Sequence, residues 1–381
     1  MLPTLLIISS LVLFALLPTL YIRFVLLRQN TSRWRWACWA PLVVFVLTCI
    51  FLIPFVYCAG LMRFFAFWVF CVLLPLFVFA FVSAIGWCLS RKWPKVQRKV
   101  TCLGLGNGIA VFLLALYGIF FGWRELEVKQ VDIYIEDLPE AFEGYRIAQL
   151  TDLHVGAYGD NTAFVERVVN ETNALQADMI VFTGDLININ AYEIIPFETT
   201  LAQLKAKDGV LSILGNHDYC RYGFGKSEEE QQAGVEAVQA TERRMGWHLL
   251  VDEHLFVHRG TDSIALVGVG NISEKRHYGD LNKALNGLSD SVFTILLSHD
   301  PEHWRMEVLD HPVVHLTLSG HTHAAQVRIG RWSPAALFMD EWSGLYERDR
   351  RYLYVSEGLG GTFPFRLGAT PQIVLITLHR K

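Results

Sequence analysis

The sequence predicts an α/β domain of two packed sheets with helices outside, preceded by a membrane region of four transmembrane helices. Three observations predict it. Before residue 124 the chain carries four apolar runs, each close to the ~20 residues a helix needs to cross ~30 Å of hydrocarbon. Beyond it, short runs of Val, Ile, Leu and Phe alternate with helix-like stretches, the pattern of a parallel sheet with crossover helices. Five of those runs open straight into Asp, Asn or His, as a buried strand does when it enters a loop. A chain of 381 residues suits two such units, expected at 1–124 and 125–381.

The four runs are residues 2–27, 36–62, 64–89 and 101–123. Their one charged residue is Arg23, near the end of the first, where its long stem can carry the charge to the interface. A cleaved signal peptide is the poorer reading, because the start lacks a basic leader and three more runs follow. Gly104, Gly106 and Gly108 look like part of a nucleotide loop, but no soluble strand precedes them. They are expected to let helices approach closely.

Arg28, Arg33 and Arg35 lie between the first two runs, and Arg91, Lys92, Lys95, Arg98 and Lys99 between the last two, so both loops should be cytoplasmic. Both termini and the soluble domain are then expected outside the cytoplasm. The expected protein is integral to a bacterial-type cell or inner membrane, with the lipid bilayer as a partner. Of seven cysteines only Cys220 lies in the soluble part, which leaves no disulfide and no CxxC motif there. A net charge of −4 without a basic stripe argues against a nucleic-acid partner.

In the soluble part, residues 129–135 alternate apolar and polar and read as the first strand. The strand ending at Asp152 follows, then a helix from Asn161 to about Leu175 and the strand Met179-Ile-Val-Phe-Thr. A second helix is expected over about 196–207, then the strand Val210-Leu-Ser-Ile-Leu. A polar insert from Tyr219 carries Ser227-Glu-Glu-Glu230, a capping box for a helix to about Met245. Gly225-Lys226-Ser227 imitates the end of a phosphate-binding loop, but Cys220 stands where glycine is required. Further strands are expected at 264–269, 292–297, 313–318, 326–329, 352–356 and 372–378.

The loops after these strands carry Asp152-x-His154, Gly184-Asp185, Gly215-Asn216-His217-Asp218, His299 and Gly320-His321-x-His323. Hydrolysing a phosphoester means bringing an anionic nucleophile to an anionic phosphate. Two divalent cations ease this by lowering the pKa of a water and stabilising the attacking and leaving oxygens. Such a pair needs a carboxylate able to bridge, with N and O ligands on each side. Taken singly, Asp152 and Asp185 suit turn caps and His299 an ordinary polar position; their joint occurrence is what points to metal.

In that order and spacing the five motifs resemble the calcineurin-like metallophosphoesterase superfamily, over roughly residues 132–378. The tail from Glu357 to Pro371 resembles its membrane-anchored YkuE-like and YaeI-like branch. The resemblance implies a four-layer α-β-β-α sandwich and a dinuclear centre of Mn, Fe or Zn. It implies Asp152, His154 and His323 on one metal, Asn216, His299 and His321 on the other, and Asp185 bridging. His217 would stand over the phosphate as the catalytic residue, and a hydroxide bridging the metals would attack in line. Asp218 and Asp300 would orient neighbouring histidines, while Arg221 and Arg366 are candidates to approach the phosphate.

There is no Asp-Arg-Gly extension after Asp185, so phosphoprotein is a poor substrate, and Ala324-Ala325 replace two glycines common in membrane-associated relatives. The substrate expected is a phosphomonoester or diester, lipid or lipid-linked in view of the apolar stretch 335–339 and Trp342. Two alternatives are a pyrophosphatase of UDP-2,3-diacylglucosamine type, and a noncatalytic membrane receptor or transporter with a structural metal site.

Overall fold

The computed structural model describes every residue except Met1, 56–58 and 223–225. Part of the second apolar run and Gly225 of the false phosphate loop therefore lie outside the described residues. The chain divides between Phe121 and Gly122 into two compact units.

In the first unit three helices are, among the described residues, long and apolar enough to cross a membrane: Arg33–Phe51, Gly60–Ser90 and Val96–Arg124. The first run contributes a shorter apolar helix, Val12–Leu26. Gly104 and Gly108, one turn apart, meet the helix Leu74–Ser90 so closely that a Cβ at either would press on the Phe79 or Pro75 carbonyl; Gly106 faces open space. The Ser83 hydroxyl lies 2.9 Å from both the Tyr21 and the Thr101 hydroxyls, so this seam also satisfies its polar groups internally.

Among the described residues the second unit has fourteen strands: β1 Glu127–Ile135, β2 Arg146–Leu150, β3 Met179–Phe182, β4 Val210–Ser212, β5 His248–Leu249, β6 Glu253–Arg259, β7 Asp262–Gly268, β8 Ile272–Ser273, β9 Arg276–His277, β10 Phe293–Leu297, β11 Val314–Ser319, β12 Gly344–Arg348, β13 Arg351–Val355 and β14 Gln372–Arg380. One sheet runs β1-β14-β2-β3-β4-β5 and the other β12-β13-β11-β10-β7-β6, with β8 and β9 as a separate hairpin. β2 to β5 are mutually parallel, as are β7, β10, β11 and β13.

Three apolar cores separate four layers. Ile147, Val181, Leu266, Ile295 and Leu316 belong to the core between the sheets. Val165, Val168 and Val238 pack the helices Ala163–Ala174 and Glu228–Arg244 on one outer face, and Trp304 and Leu281 pack short helices on the other. Parallel strands with both faces covered read as continuous apolar runs, which is why β3 and β10 were legible. The antiparallel edges β6 and β12 are half exposed and lack such a run, so no strand was expected there.

Two expectations are corrected. The helix expected over 196–207 is only Glu198–Leu201, because the Asn173 side chain takes the Gln203 carbonyl and the Lys205 amide and draws the backbone off the helix. Residues 326–329 form no strand: Ala324, Ala325 and Gln326 have φ of 49°, 49° and 59°, a left-handed turn that cannot extend, and only isolated bridges join Val327 to Leu367 and Ile329 to Trp332.

Candidate metal centre

All five motif loops leave the C-terminal ends of β2, β3, β4, β10 and β11, where parallel sheets place their ligands. The loops are bonded to one another through the backbone. Asp152 N–H donates to the Gly184 carbonyl at 2.9 Å, His154 N–H to the Asp185 carbonyl at 3.1 Å, and Gly320 N–H to the His299 carbonyl at 3.0 Å. Gly215 and Gly320 are needed for that closeness, since a Cβ at Gly215 would overlap Asp185 and one at Gly320 the Thr151 hydroxyl and Asp152 carboxylate.

The seven predicted ligands lie in two groups that share Asp185. Asp185 Oδ2 lies 3.5 Å from His154 Nε2 and 3.2 Å from His299 Nε2. On the first side His323 Nε2 stands 3.2 Å from His154 Nε2 and 3.4 Å from Asp152 Oδ1. On the second, His299 Nε2 stands 3.2 Å from Asn216 Oδ1 and 3.3 Å from His321 Nδ1. A cation with ligands at ~2.1 Å has neighbouring ligands ~3.0–3.4 Å apart, so these separations suit edges of two coordination spheres sharing Asp185. The donor set of imidazole, carboxylate and amide oxygen also fits Mn, Fe or Zn.

Polar contacts at the far ring nitrogens of His299 and His321 favour the tautomers that ligation needs. His299 Nδ1 lies 2.7 Å from the Thr183 carbonyl, freeing Nε2, and His321 Nε2 lies 3.4 Å from Asp300 Oδ2, freeing Nδ1. Burial lowers His154 and His323 to about 3, which keeps them neutral. Burial would lower His299 as well, but the Asp185 carboxylate, helped by Asp152 and the Thr183 carbonyl, carries it up to about 10, so a cation binding there would displace the Nε2 proton. Asp185 itself is held well below the usual carboxylate range: burial opposes this, and the imidazoles of His299, His217 and His154 prevail.

His217 donates its backbone N–H to Asp185 Oδ1 at 2.8 Å, and its Nδ1 lies 2.6 Å from the Asn188 carbonyl, leaving Nε2 without a hydrogen-bond partner among the described residues. Burial lowers its pKa, against Asp185. Asp300 faces His321, whereas among the described residues Asp218 faces no histidine. Its carboxylate accepts the backbone N–H groups of Asp185, Leu186, Ile187 and Gly215 at 2.8–3.1 Å and so clamps the loop that presents Asp185.

Arg366 is corrected too: it is 1% exposed, and its guanidinium donates to the carbonyls of Glu357, Gly360 and Ala369, so it holds the tail loop and cannot reach a phosphate. Arg221 is exposed, with its guanidinium over the Tyr278 ring at 5.2 Å.

Two supporting residues escaped the sequence reading. Tyr222 stacks on His217 at 4.1 Å, and its hydroxyl accepts from Asn216 Nδ2 at 2.7 Å. Gln149 donates to the Thr183 hydroxyl at 3.1 Å and the Ser319 carbonyl at 2.9 Å, tying three motif strands together. The one available signal for Gln149 was a polar side chain inside an apolar strand; Tyr222 had none.

A model of the calcineurin-like phosphoesterase family matches residues 145–325. A transmembrane protein with metallophosphoesterase domain from Danio rerio is 30% identical over 321 residues, covering 80% of this chain and 70% of that protein. The uncharacterized metallophosphoesterase YkuE of Bacillus subtilis is 31% identical over 303 residues, covering 74% and 98%. The UDP-2,3-diacylglucosamine pyrophosphatase LpxG of Chlamydia muridarum is 27% identical over 289 residues, covering 63% and 86%.

Proposed function

Since this chain belongs to the calcineurin-like phosphoesterase family and is a phosphoester hydrolase, we propose that it is membrane-anchored through four spans and cleaves lipid or lipid-linked phosphoesters at a dinuclear centre on the extracytoplasmic face of a cell or inner membrane. The observation that carries the reading is the approach of His154 and His299, from different sheets, to the same Asp185 oxygen. Asp152, His154 and His323 would hold one divalent cation and Asn216, His299 and His321 the other, with Asp185 shared. When bound, the pair supplies charge neutralisation at the phosphoryl oxygens and a water of lowered pKa.

The protein's own contribution is orientation and proton transfer. The Asp218 clamp and the left-handed turns hold the ligands in place before substrate arrives. As water oxygen bonds to phosphorus and the ester P–O bond breaks, the leaving oxygen needs a proton, and His217 Nε2 is placed to give it. Burial keeps His217 neutral in the free enzyme. The negative charge of an arriving phosphate favours its protonated form.

The lipid-linked part of the proposal rests on an apolar lip. Leu337 and Phe338 are 68% and 84% exposed, and Ile329 and Trp332 stand out beside them. This segment is fastened to the histidine loop, because the Thr322 hydroxyl donates to the Trp342 carbonyl and the Ser333 hydroxyl to the Ala324 carbonyl, both at 2.6 Å. A pyrophosphatase acting on a sugar-nucleotide lipid, as LpxG is named, is the second reading, favoured by that relative alone.

The test is metal analysis of the purified full chain beside turnover of aryl monoesters, aryl diesters and detergent-dispersed phospholipids. Asp185→Asn should lower the metal content and reduce kcat by on the order of 10²–10³. Unchanged turnover in that variant would sink the dinuclear mechanism, and activity confined to water-soluble esters would sink the lipid substrate.

A further inference from the structure

Beside the centre, on the Asn216 and His321 side, lies a cleft of about 230 Å³ whose wall includes Asn271, Arg276 and Tyr222. Asn271 follows the end of β7 and is 1% exposed, yet among the described residues neither its Oδ1 nor its Nδ2 has a hydrogen-bond partner. Arg276, on the β8–β9 hairpin, likewise has a buried Nη1 with no partner. A buried donor or acceptor left unpaired costs about 1–3 kcal/mol, and these three atoms belong to two residues in the wall of one cleft. Two of them, Arg276 Nη1 and Asn271 Nδ2, are donors that suit an oxyanion, and the guanidinium adds charge.

The arginine is also braced. Its guanidinium lies over the Tyr222 ring at 4.7 Å, and that ring stacks on His217 and bonds to Asn216. Stacking holds the planar fork in one orientation, which favours bidentate recognition of phosphate. The hairpin base is equally firm, with Tyr219 and Tyr278 stacked at 4.0 Å. Two carboxylates share the wall, but both are engaged: Asp300 Oδ2 faces His321 Nε2 at 3.4 Å, and Glu302 Oε2 accepts the Glu274 N–H at 3.4 Å.

We propose that Asn271 and Arg276 form a subsite for a second phosphoryl group, so that the enzyme prefers diphosphate-bridged substrates to simple monoesters. This rests on the phosphoester-hydrolase reading of the adjoining centre. The reacting phosphoryl group would sit at the metal ligands and the neighbouring one in the cleft, with Arg276 donating to its non-bridging oxygens and the Asn271 amide closing the other side.

The test compares KM and kcat of the metal-loaded full chain for p-nitrophenyl phosphate and for a nucleoside diphosphate sugar. Arg276→Ala should raise KM for the diphosphate at least tenfold more than KM for the aryl ester, with Arg276→Lys recovering part of the difference and Asn271→Ala producing a smaller change of the same kind. Equal changes for both substrates, or none, would overturn the subsite. A separate readout covers failure of the hydrolase reading itself: uridine diphosphate should raise Tm of the wild type more than uridine monophosphate does, and Arg276→Ala should abolish that excess. If no ester is cleaved but the excess is present and lost in the variant, the hydrolase reading fails and the subsite stands. If the wild type shows no excess, the subsite falls.

Discussion

Asp185 works through both its oxygens, one accepting the His217 amide and the other facing two imidazoles, so its side chain has no freedom to swing away. Such placement has a local cost. Asp152, His154, Asp185, His321 and His323 all have φ between 49° and 73°, the left-handed region that costs an L-residue about 1–2 kcal/mol. Strain gathered at one site is the mark of a constellation held by its surroundings. Ala324 and Ala325 share this conformation, which explains why glycine suits their positions. Ala325 is exposed, so Ala325→Gly loses no packing. It should gain about 0.5–1 kcal/mol after allowing for the larger unfolded-state entropy of glycine, read as a higher Tm in detergent. A lower Tm would mean that the methyl group has a role not visible here.

At the scale of elements, the helix Glu228–Arg244 was legible because its capping box is local: Ser227 Oγ accepts the Glu230 N–H, and Glu230 accepts the Ser227 N–H. What that helix does to β4 was not. Its Glu242 is fully buried, and the Ser212 hydroxyl of β4 donates to it at 2.6 Å. Burial first, then the Asp218 charge, raises Glu242 well above its ordinary 4.5. A raised folded pKa means stability fully present below about pH 4.5 and lost as pH climbs through the folded value. Glu242→Gln is neutral throughout, so its Tm advantage over the wild type should grow with pH between about 5 and 9. A constant difference over that range would show that Glu242 is ionised in the fold. The edge strands β6 and β12 escaped notice for a related reason, since pairing on one side only leaves half their side chains in water and no apolar signature.

At the scale of the whole molecule, the proposed outward orientation rests on the basic loops at Arg28–Arg35 and Arg91–Lys99. A phosphatase reporter fused after Lys381, which is active only outside the cytoplasm, should be active, and a cytoplasm-only fluorescent reporter at the same position should be dark. The opposite pair of results would place the centre in the cytoplasm and strengthen the sugar-nucleotide reading.

The sequence by itself determined the two-unit plan, the apolar helices and the identity of the residues that gather at Asp185. These depend on run length, on strand-to-loop transitions and on motifs a few residues long. Only the tertiary structure decided that Arg366 is an internal brace, that Asp218 clamps backbone amides, and that Asn271 and Arg276 open into a cleft beside His321. The Asp218 clamp reaches amides 31 to 33 residues away, and the Arg366 partners, though only 3 to 9 residues off, are backbone carbonyls of a folded loop; neither kind of contact leaves a periodicity or spacing along the chain.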